Sequence, residues 1–246
     1  MRKSTFSYLL LCACVFAVAL QSCRNDSYLL TAPAVPNQSF TEEFDTVSSA
    51  LNRGWVVKNA SDPLGSNIWQ QGGAITPWFP AFSSKGSYVG FIGADYTSTS
   101  ADAGIISNWL ISPVVTMQNG DKISFYTRAF LDPAVGTDST DYANRMQVRV
   151  NTLNDSTNVG SGYDVGDFTN ILLDINPSYI EHHTDPLEYS PYAYPARWTR
   201  FEVTIVGINK PVRGRFAFRY FIEGGGFNGL GSGVAIDQVH YESVKH

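Results

Sequence analysis

Apolar and polar residues alternate over several short segments of the chain. In residues 145–150, for example, Met146, Val148 and Val150 alternate with polar or charged residues. A period of two places successive side chains on opposite faces of a strand, so each segment is predicted to bury one face and expose the other. Strand signals of this kind occur in residues 87–92, 109–115, 122–129, 145–150, 199–206, 213–222 and 234–241.

Turn-forming residues separate these segments. Clusters of glycine, asparagine and aspartate occur at residues 119–121, 154–156 and 224–226, and such residues favour the backbone angles of tight turns. Many short strands joined by turns predict an all-β protein, a jelly-roll β-sandwich of two antiparallel sheets. A helical turn is expected around residues 167–172. Residues 177–195, rich in proline and tyrosine, are predicted to form a long surface loop.

The start of the chain has the features of an export signal. Arg2 and Lys3 precede an apolar run over residues 8–20 that is short for a membrane span. The run ends in Leu20-Gln21-Ser22-Cys23, which resembles the lipobox of bacterial lipoproteins. The resemblance implies cleavage before Cys23 and attachment of lipid to that residue. The alternative is an ordinary secreted protein with an incidental cysteine.

This interpretation divides the chain into three parts. Residues 1–22 are expected to be a signal peptide, residues 23–38 a flexible tether, and residues 39–246 one domain. The other cysteines, Cys12 and Cys14, would be lost with the signal peptide, so the domain is expected to have no disulfide. The expected location is the cell envelope, lipid-anchored, with the outer membrane and a surface-exposed domain favoured.

The charge of the chain argues against nucleic acid as a partner. The formal net charge is −5, and removal of the basic signal peptide makes the domain more acidic, whereas nucleic-acid-binding domains carry a basic face. Residues 132–188 concentrate acidic side chains, opposed only by Arg145 and Arg149. Such a stretch either lies solvated or holds cations.

Several segments along the chain match one known domain in their order and spacing; they are residues 40–45, 107–113, 120–125, 146–150, 194–198, 215–220 and 235–239. In this order they resemble the cleaved-adhesin or choice-of-anchor J domain, a jelly roll related to MAM domains and carbohydrate-binding modules. The resemblance covers about residues 40–241 and implies extracellular placement, adhesion or glycan binding, and often a structural calcium ion.

A calcium site is predicted where this resemblance brings the first and last strands together. It implies that Glu43 and Asp45 lie close to Asp237. Asp237 stands among apolar residues, where a lone carboxylate is costly unless it is paired or bound to a metal, and calcium prefers such oxygen ligands. Alternatively, Asp237 caps a turn or pairs with Arg215 or Arg219.

Two other groups are weaker candidates for metal sites. Asp132, Asp138 and Asp141 could bind a second calcium ion, although their spacing is not that of an EF-hand. His182 and His183 lie near acidic residues and could bind zinc together. Adjacent side chains point apart on an extended chain, so joint binding would require the loop to fold.

Two aromatic segments are candidates for sugar binding. Trp78, Phe79 and Phe82 lie in a proline-flanked segment without strand alternation, and Tyr189 and Tyr192 lie in the predicted long loop. Loops on a rigid sandwich often carry binding sites, but aromatic loop residues also commonly close the end of a sandwich. The remaining tryptophans are predicted to be buried: Trp55, Trp69, Trp109 and Trp198.

These observations favour a cell-surface binding module over an enzyme. The partner would be a glycan or a cell-surface protein, and the alternative is a structural component of a cell-envelope complex. A glycoside hydrolase would need two carboxylates facing each other across a cleft, and the sequence singles out no such pair. The glycine motif at residues 224–229 precedes a predicted strand, whereas a phosphate-binding loop precedes a helix.

Overall fold

A computed structural model describes residues 35–84, 87–133, 138–185 and 187–244. The predicted signal peptide and Cys23 lie outside the described residues, as does most of the predicted tether. Within the described part, no helix is long and apolar enough to cross a membrane.

The described chain consists almost entirely of strands. One short helix, α1 (Val47–Asn52), and a 3-10 turn at Tyr96–Ser98 interrupt them. The strands are β1 (Phe40–Glu42), β2 (Val56–Asn59), β3 (Gln70–Gln71), β4 (Ile92–Asp95), β5 (Gly104–Ile111), β6 (Val115–Met117), β7 (Lys122–Ala129), β8 (Asp132–Pro133), β9 (Ser139–Thr140), β10 (Met146–Asn151), β11 (Asn170–Ile175), β12 (Thr199–Thr204), β13 (Val212–Gly225) and β14 (Gly233–Glu242).

Two antiparallel sheets make up the fold, as the alternation predicts. The first sheet has the order β12-β7-β14-β4-β3, and β1 also pairs with β14. The second has the order β11-β10-β13-β5-β2, and β6 also pairs with β13. Strands β8 and β9 form a separate pair. The all-β prediction of a β-sandwich with two antiparallel sheets is therefore confirmed.

The main core contains the inward side chains of both sheets. Phe125 of β7 meets Phe218 of β13 edge to face, with ring centroids 4.8 Å apart, and both rings are fully buried. Burying a side chain of this size contributes about 1.5 to 3 kcal/mol. Trp55 and Trp69 are buried in this core, as predicted.

Two smaller apolar clusters lie outside the main core. Trp109 is buried with Phe168 in one of them. Trp198 belongs to the other, which includes Phe79 and Phe91, and it is only half-buried. The prediction of burial is therefore correct for Trp109 and wrong for Trp198, because Trp198 lies in a cluster formed with the residue 76–82 segment.

The prediction of a helical turn around residues 167–172 is wrong. Residues 170–175 form β11, which pairs with β10 along its length. This pairing makes β11 an edge strand of the second sheet, while β12 is an edge strand of the first. These two edge strands contact each other, and the predicted long loop connects them.

Candidate functional site

A groove lies along these two edge strands, beside the loop that joins them. Its volume is about 1090 Å³, and its lining includes Leu173 of β11, Phe201 of β12 and residues 189–197 of the loop. The lining combines aromatic, charged and polar side chains. Concave sites of this size commonly hold small molecules or parts of larger ligands.

Both tyrosines predicted for ligand contact line this groove. Tyr189 is 60% exposed and Tyr192 is 77% exposed. By contrast, Tyr194 is fully buried and its hydroxyl lies 2.5 Å from Thr127 Oγ1. The loop is therefore anchored by Tyr194, while its two exposed rings remain available for stacking.

His182 lies in the groove and is held by its backbone. Its N–H donates to Asp141 Oδ1 at 2.7 Å, and its ring meets the Tyr189 ring edge-on, with centroids 5.6 Å apart. Only 8% of the residue is exposed. Burial lowers the pKa of His182 below its usual range, so the imidazole beside Tyr189 is neutral at neutral pH.

His183 also lines the groove, and its ring lies in a cluster of acidic side chains. Its Nδ1 lies 2.7 Å from Asp138 Oδ2 and 3.3 Å from Glu188 Oε2. The bond with Asp138 raises the pKa of His183 and lowers that of Asp138. Both histidines line the groove, but the group of close metal-ligating atoms in the described residues joins His183 to Asp138 and Glu188 and does not include His182. The prediction that the two histidines bind zinc together is therefore not supported by their placement.

The second group predicted to bind calcium, Asp132, Asp138 and Asp141, has its carboxylates engaged in different contacts. Asp141 is fully buried and accepts backbone N–H groups from His182, Ala143 and Asn144. Burial raises the pKa of Asp141 to about 6. Asp138 instead bonds His183, so these carboxylates hold the chain in place and are not gathered with Asp132 around one point.

The first aromatic segment does not present three free rings. Phe79 is only 8% exposed, and it stacks on Phe91 with centroids 4.9 Å apart. Trp78 and Phe82 are half-buried. Phe82 stacks on Tyr126 of β7. Phe79 is thus excluded as a ligand contact, because it packs within the small cluster that includes Phe91.

Asp237 serves as an anchor for the end of this segment. Its carboxylate accepts N–H groups of Phe82 at 2.8 Å and Ser83 at 3.0 Å, and the Ser83 hydroxyl at 2.7 Å. Burial raises the pKa of Asp237 to about 6. These contacts agree with the alternative in which Asp237 caps a turn. Asp237 forms no ion pair with Arg215 or Arg219 among the described residues.

The three predicted calcium ligands do not form a compact group of ligand atoms. Asp45 and Glu43 are exposed, and Asp45 accepts a hydrogen bond from the Ser84 hydroxyl. Within the described ranges a different group meets that condition. Asp138, His183 and Glu188 each offer one possible ligand atom, and these three atoms lie within 4.8 Å of one another. Calcium at Glu43, Asp45 and Asp237 stays a prediction.

The groove contains residues that the sequence did not single out. Asp174 lies in it with both carboxylate oxygens engaged by Arg145, at 2.9 and 2.7 Å. Arg128 and Arg197 also line it. Alternation along residues 122–129 places Arg128 on the outer face of its strand, but no sequence signal indicates that the loop folds over it.

Comparisons with known proteins give similarity at the level of the fold. The K1 cleaved adhesin domain of Lys-gingipain from Porphyromonas gingivalis W83 is 19% identical, with a TM-score of 0.48 over 84% of this chain and 99% of that one. The K2 domain of Lys-gingipain is 15% identical, with a TM-score of 0.49 and the same coverage. TmCBM61 in complex with β-1,4-galactotriose is 12% identical, with a TM-score of 0.37 over 80% of this chain and 93% of that one.

No family model matches the chain, and no curated protein matches it. At these identities the likeness concerns the folds of the chains and does not extend to their ligands. The solved structures to which this chain is similar thus include cleaved adhesin domains and carbohydrate-binding modules.

Proposed function

We propose that this protein is a glycan-binding module of the cell surface whose ligand lies in the groove between β11 and β12. The observation that carries the proposal is the pair of exposed tyrosines, Tyr189 and Tyr192, on one wall of a concave site. Sugar rings present C–H-rich faces that pack against aromatic rings. Neighbouring polar groups, here His182 and Thr184, supply hydrogen bonds to hydroxyl groups.

The shape of the site favours glycan binding over the two alternatives. A contact surface for assembly of an envelope complex would be a broad apolar patch, whereas the tyrosines line a groove of mixed polarity. Hydrolysis would use two carboxylates across the groove. Among its described lining residues the carboxylate is Asp174, and Arg145 and Gln147 bond both of its oxygens.

Lipid attachment at Cys23 is part of the proposal and rests on the sequence resemblance to a lipobox. It would present the domain at the surface of the outer membrane. Cys23→Ala is expected to abolish incorporation of labelled palmitate and to release the protein from the membrane fraction. Retention of the label in this variant would show that another residue carries the lipid.

A glycan array probed with the full chain in detergent tests the proposal. Binding to a defined set of glycans is expected, and a Tyr189→Ala/Tyr192→Ala double variant should lose most of it. Tyr88→Ala is the matched control, because Tyr88 is 56% exposed and does not line the groove. An array without any specific signal, or equal loss in the control, would contradict glycan binding at this site.

Each array is run with calcium and again with EDTA to address the structural calcium ion separately. If calcium bound to Glu43, Asp45 and Asp237 stiffens the frame, EDTA lowers the melting temperature of the wild type but not that of a Glu43→Gln/Asp45→Asn variant. Equal melting temperatures of the wild type in both buffers would remove calcium from the proposal. They would leave glycan binding in place.

A further inference from the structure

Two arginines in the groove have no hydrogen-bond or ion-pair partner among the described residues. Arg128 of β7 and Arg197 of the loop both line the groove, and neither guanidinium forms an ion pair or a hydrogen bond in the described ranges. Every other described arginine donates at least one hydrogen bond from its guanidinium; these are Arg53, Arg145, Arg149, Arg200, Arg213, Arg215 and Arg219.

The surroundings of Arg128 leave its donors unsatisfied. Its guanidinium carbon lies 3.8 Å from the centroid of the Phe79 ring, so one face of the cation packs against an aromatic ring. The Nε atom is buried and has no acceptor. Burial lowers the pKa of Arg128, and repulsion from Arg197 lowers it further. A cation held in this way is stabilised when an anion supplies the missing acceptors.

The groove offers no free carboxylate of its own to these arginines. Asp174 is the carboxylate among the described lining residues. Its Oδ1 accepts from Arg145 Nε at 2.9 Å, and its Oδ2 accepts from Arg145 at 2.7 Å and from Gln147 at 2.9 Å. The positive charge of Arg128 and Arg197 is therefore available to a ligand.

We infer that the groove selects acidic saccharides, with the carboxylate of a uronic acid bound by Arg128 and Arg197. Guanidinium groups match the planar geometry of a carboxylate and bind it with two parallel hydrogen bonds. The neighbouring rings of Tyr189 and Tyr192 pack against the sugar. This inference rests on the proposed glycan-binding function and adds the chemical class of the ligand.

The test uses a panel of oligosaccharides in matched pairs, each uronic acid oligomer beside its carboxyl-reduced neutral counterpart. Affinities for the full chain are measured by titration calorimetry at low and high sodium chloride. The acidic member of a bound pair is expected to bind at least about 10-fold more tightly, the size of one charged hydrogen bond. High salt should shrink this preference because it screens charges in an open groove.

Variants of the two arginines connect the preference to these side chains. Arg128→Gln and Arg197→Gln should each remove most of the preference for the acidic member and leave affinity for the neutral member nearly unchanged. Arg128→Lys retains the charge and should retain part of the preference. Arg200→Gln is the control, since Arg200 is an exposed arginine that bonds Glu202 and does not line the groove. Equal melting temperatures would confirm that the variants fold.

The outcomes separate this inference from the proposed function. If neutral members bind as well as acidic ones, or the arginine variants keep the preference, the acidic-saccharide inference is wrong and glycan binding stands. If no saccharide of either kind binds, both fail. A third arm uses sodium acetate and sodium sulfate alone. Competition by these salts at the affinity of the uronic acids would show that the arginines bind any anion and that the sugar is not recognised.

Discussion

Two loops of this molecule concentrate aromatic residues beside prolines, one at residues 76–82 and the other at residues 189–195. In the first, Phe79 is buried against Phe91, and Trp78 packs closely enough that a Cβ at Gly93 would lie 2.8 Å from its ring. In the second, Tyr192 remains 77% exposed above a groove. The two loops were equal candidates from the sequence, and only one presents free rings.

The neighbours of each loop explain the difference. The first loop lies on an apolar surface that includes Phe91 and Ala235, and covering that surface releases water from both partners. The second loop joins the edge strands of two sheets, where a groove takes the place of an apolar face. Its rings also carry hydroxyl groups, which keep hydrogen bonds with water when the ring is exposed.

Carboxylates fix both loops by accepting backbone N–H groups. Asp237 holds Phe82 and Ser83 at the end of the first loop. Asp138 accepts the N–H groups of Thr184 and Asp185 just before the second loop, at 2.9 and 3.0 Å. The first anchor is fully buried and the second is only partly buried. The same chemistry thus stabilises a structural cover in one place and the wall of a groove in the other.

The largest expected effect is a difference in unfolding free energy between a variant of the first loop and a variant of the second. Phe79→Ala should lower the free energy of unfolding by about 3 to 5 kcal/mol, because it leaves a cavity among Phe91, Trp198 and Arg128. Tyr192→Ala should change it by less than about 0.5 kcal/mol, as for other exposed positions. Urea denaturation followed by circular dichroism measures both. Similar losses in the two variants would contradict the contrast between the loops.

A smaller effect comes from pH acting on the anchor of the first loop. The pKa of Asp237 is raised to about 6 by burial, above the value of about 3.9 in an unfolded chain. A carboxyl with a raised pKa stabilises the fold while protonated, so this contribution is present below about pH 4 and is lost as pH rises through 6.

Wild-type stability should therefore fall by about 1 to 3 kcal/mol between pH 4 and 7 on account of this group. Asp237→Asn should flatten that part of the profile. Denaturation midpoints at several pH values test this, with Asp155→Asn as a control at an exposed carboxylate. Parallel profiles for wild type and Asp237→Asn would show that Asp237 has the same pKa in both states.

The smallest effect concerns the two adjacent histidines near the second loop. His182 should titrate below its usual pKa because it is buried, and His183 above it because Asp138 bonds its ring. The His183 contribution to stability is present below about pH 6.5 and is lost as pH rises through its raised pKa. NMR titration of the ring protons measures both values. Asp138→Asn should lower the pKa of His183 more than that of His182, because Asp138 bonds the His183 ring and acts on His182 only through its charge. Identical titration of the two rings would contradict this placement.

The sequence predicts the fold better than the site. Alternation at positions such as Met146, Val148 and Val150 reflects the local geometry of a strand, and it predicts the sheets correctly. The expectation that this segment exposes its other face is wrong, because all six residues of β10 are buried. The partners of a loop depend on contacts far along the chain. Phe79 meets Trp198 and Arg128, and no local pattern indicates such neighbours.

The exposure of the two groove tyrosines was nevertheless predictable. Tyr189 and Tyr192 lie in a segment that is rich in proline and tyrosine and lacks strand alternation, and these two features together indicate an exposed loop. The position of Arg128 in the groove was not predictable, because what distinguishes this residue is that its guanidinium lacks a hydrogen-bond acceptor in the folded chain. Its position on an outward strand face is visible in the sequence, but the loop that turns that face into a groove wall is not.

The most direct measurement of the contrast between the loops is the affinity of the full chain for its best array glycan, compared among wild type, Tyr192→Ala and Trp78→Ala. Tyr192→Ala should weaken binding by about 5- to 10-fold, which corresponds to losing one ring contact of about 1 kcal/mol. Trp78→Ala should leave affinity unchanged within about twofold once folding is confirmed. Weakened binding in Trp78→Ala with full affinity in Tyr192→Ala would contradict the account and place the ligand on the first loop.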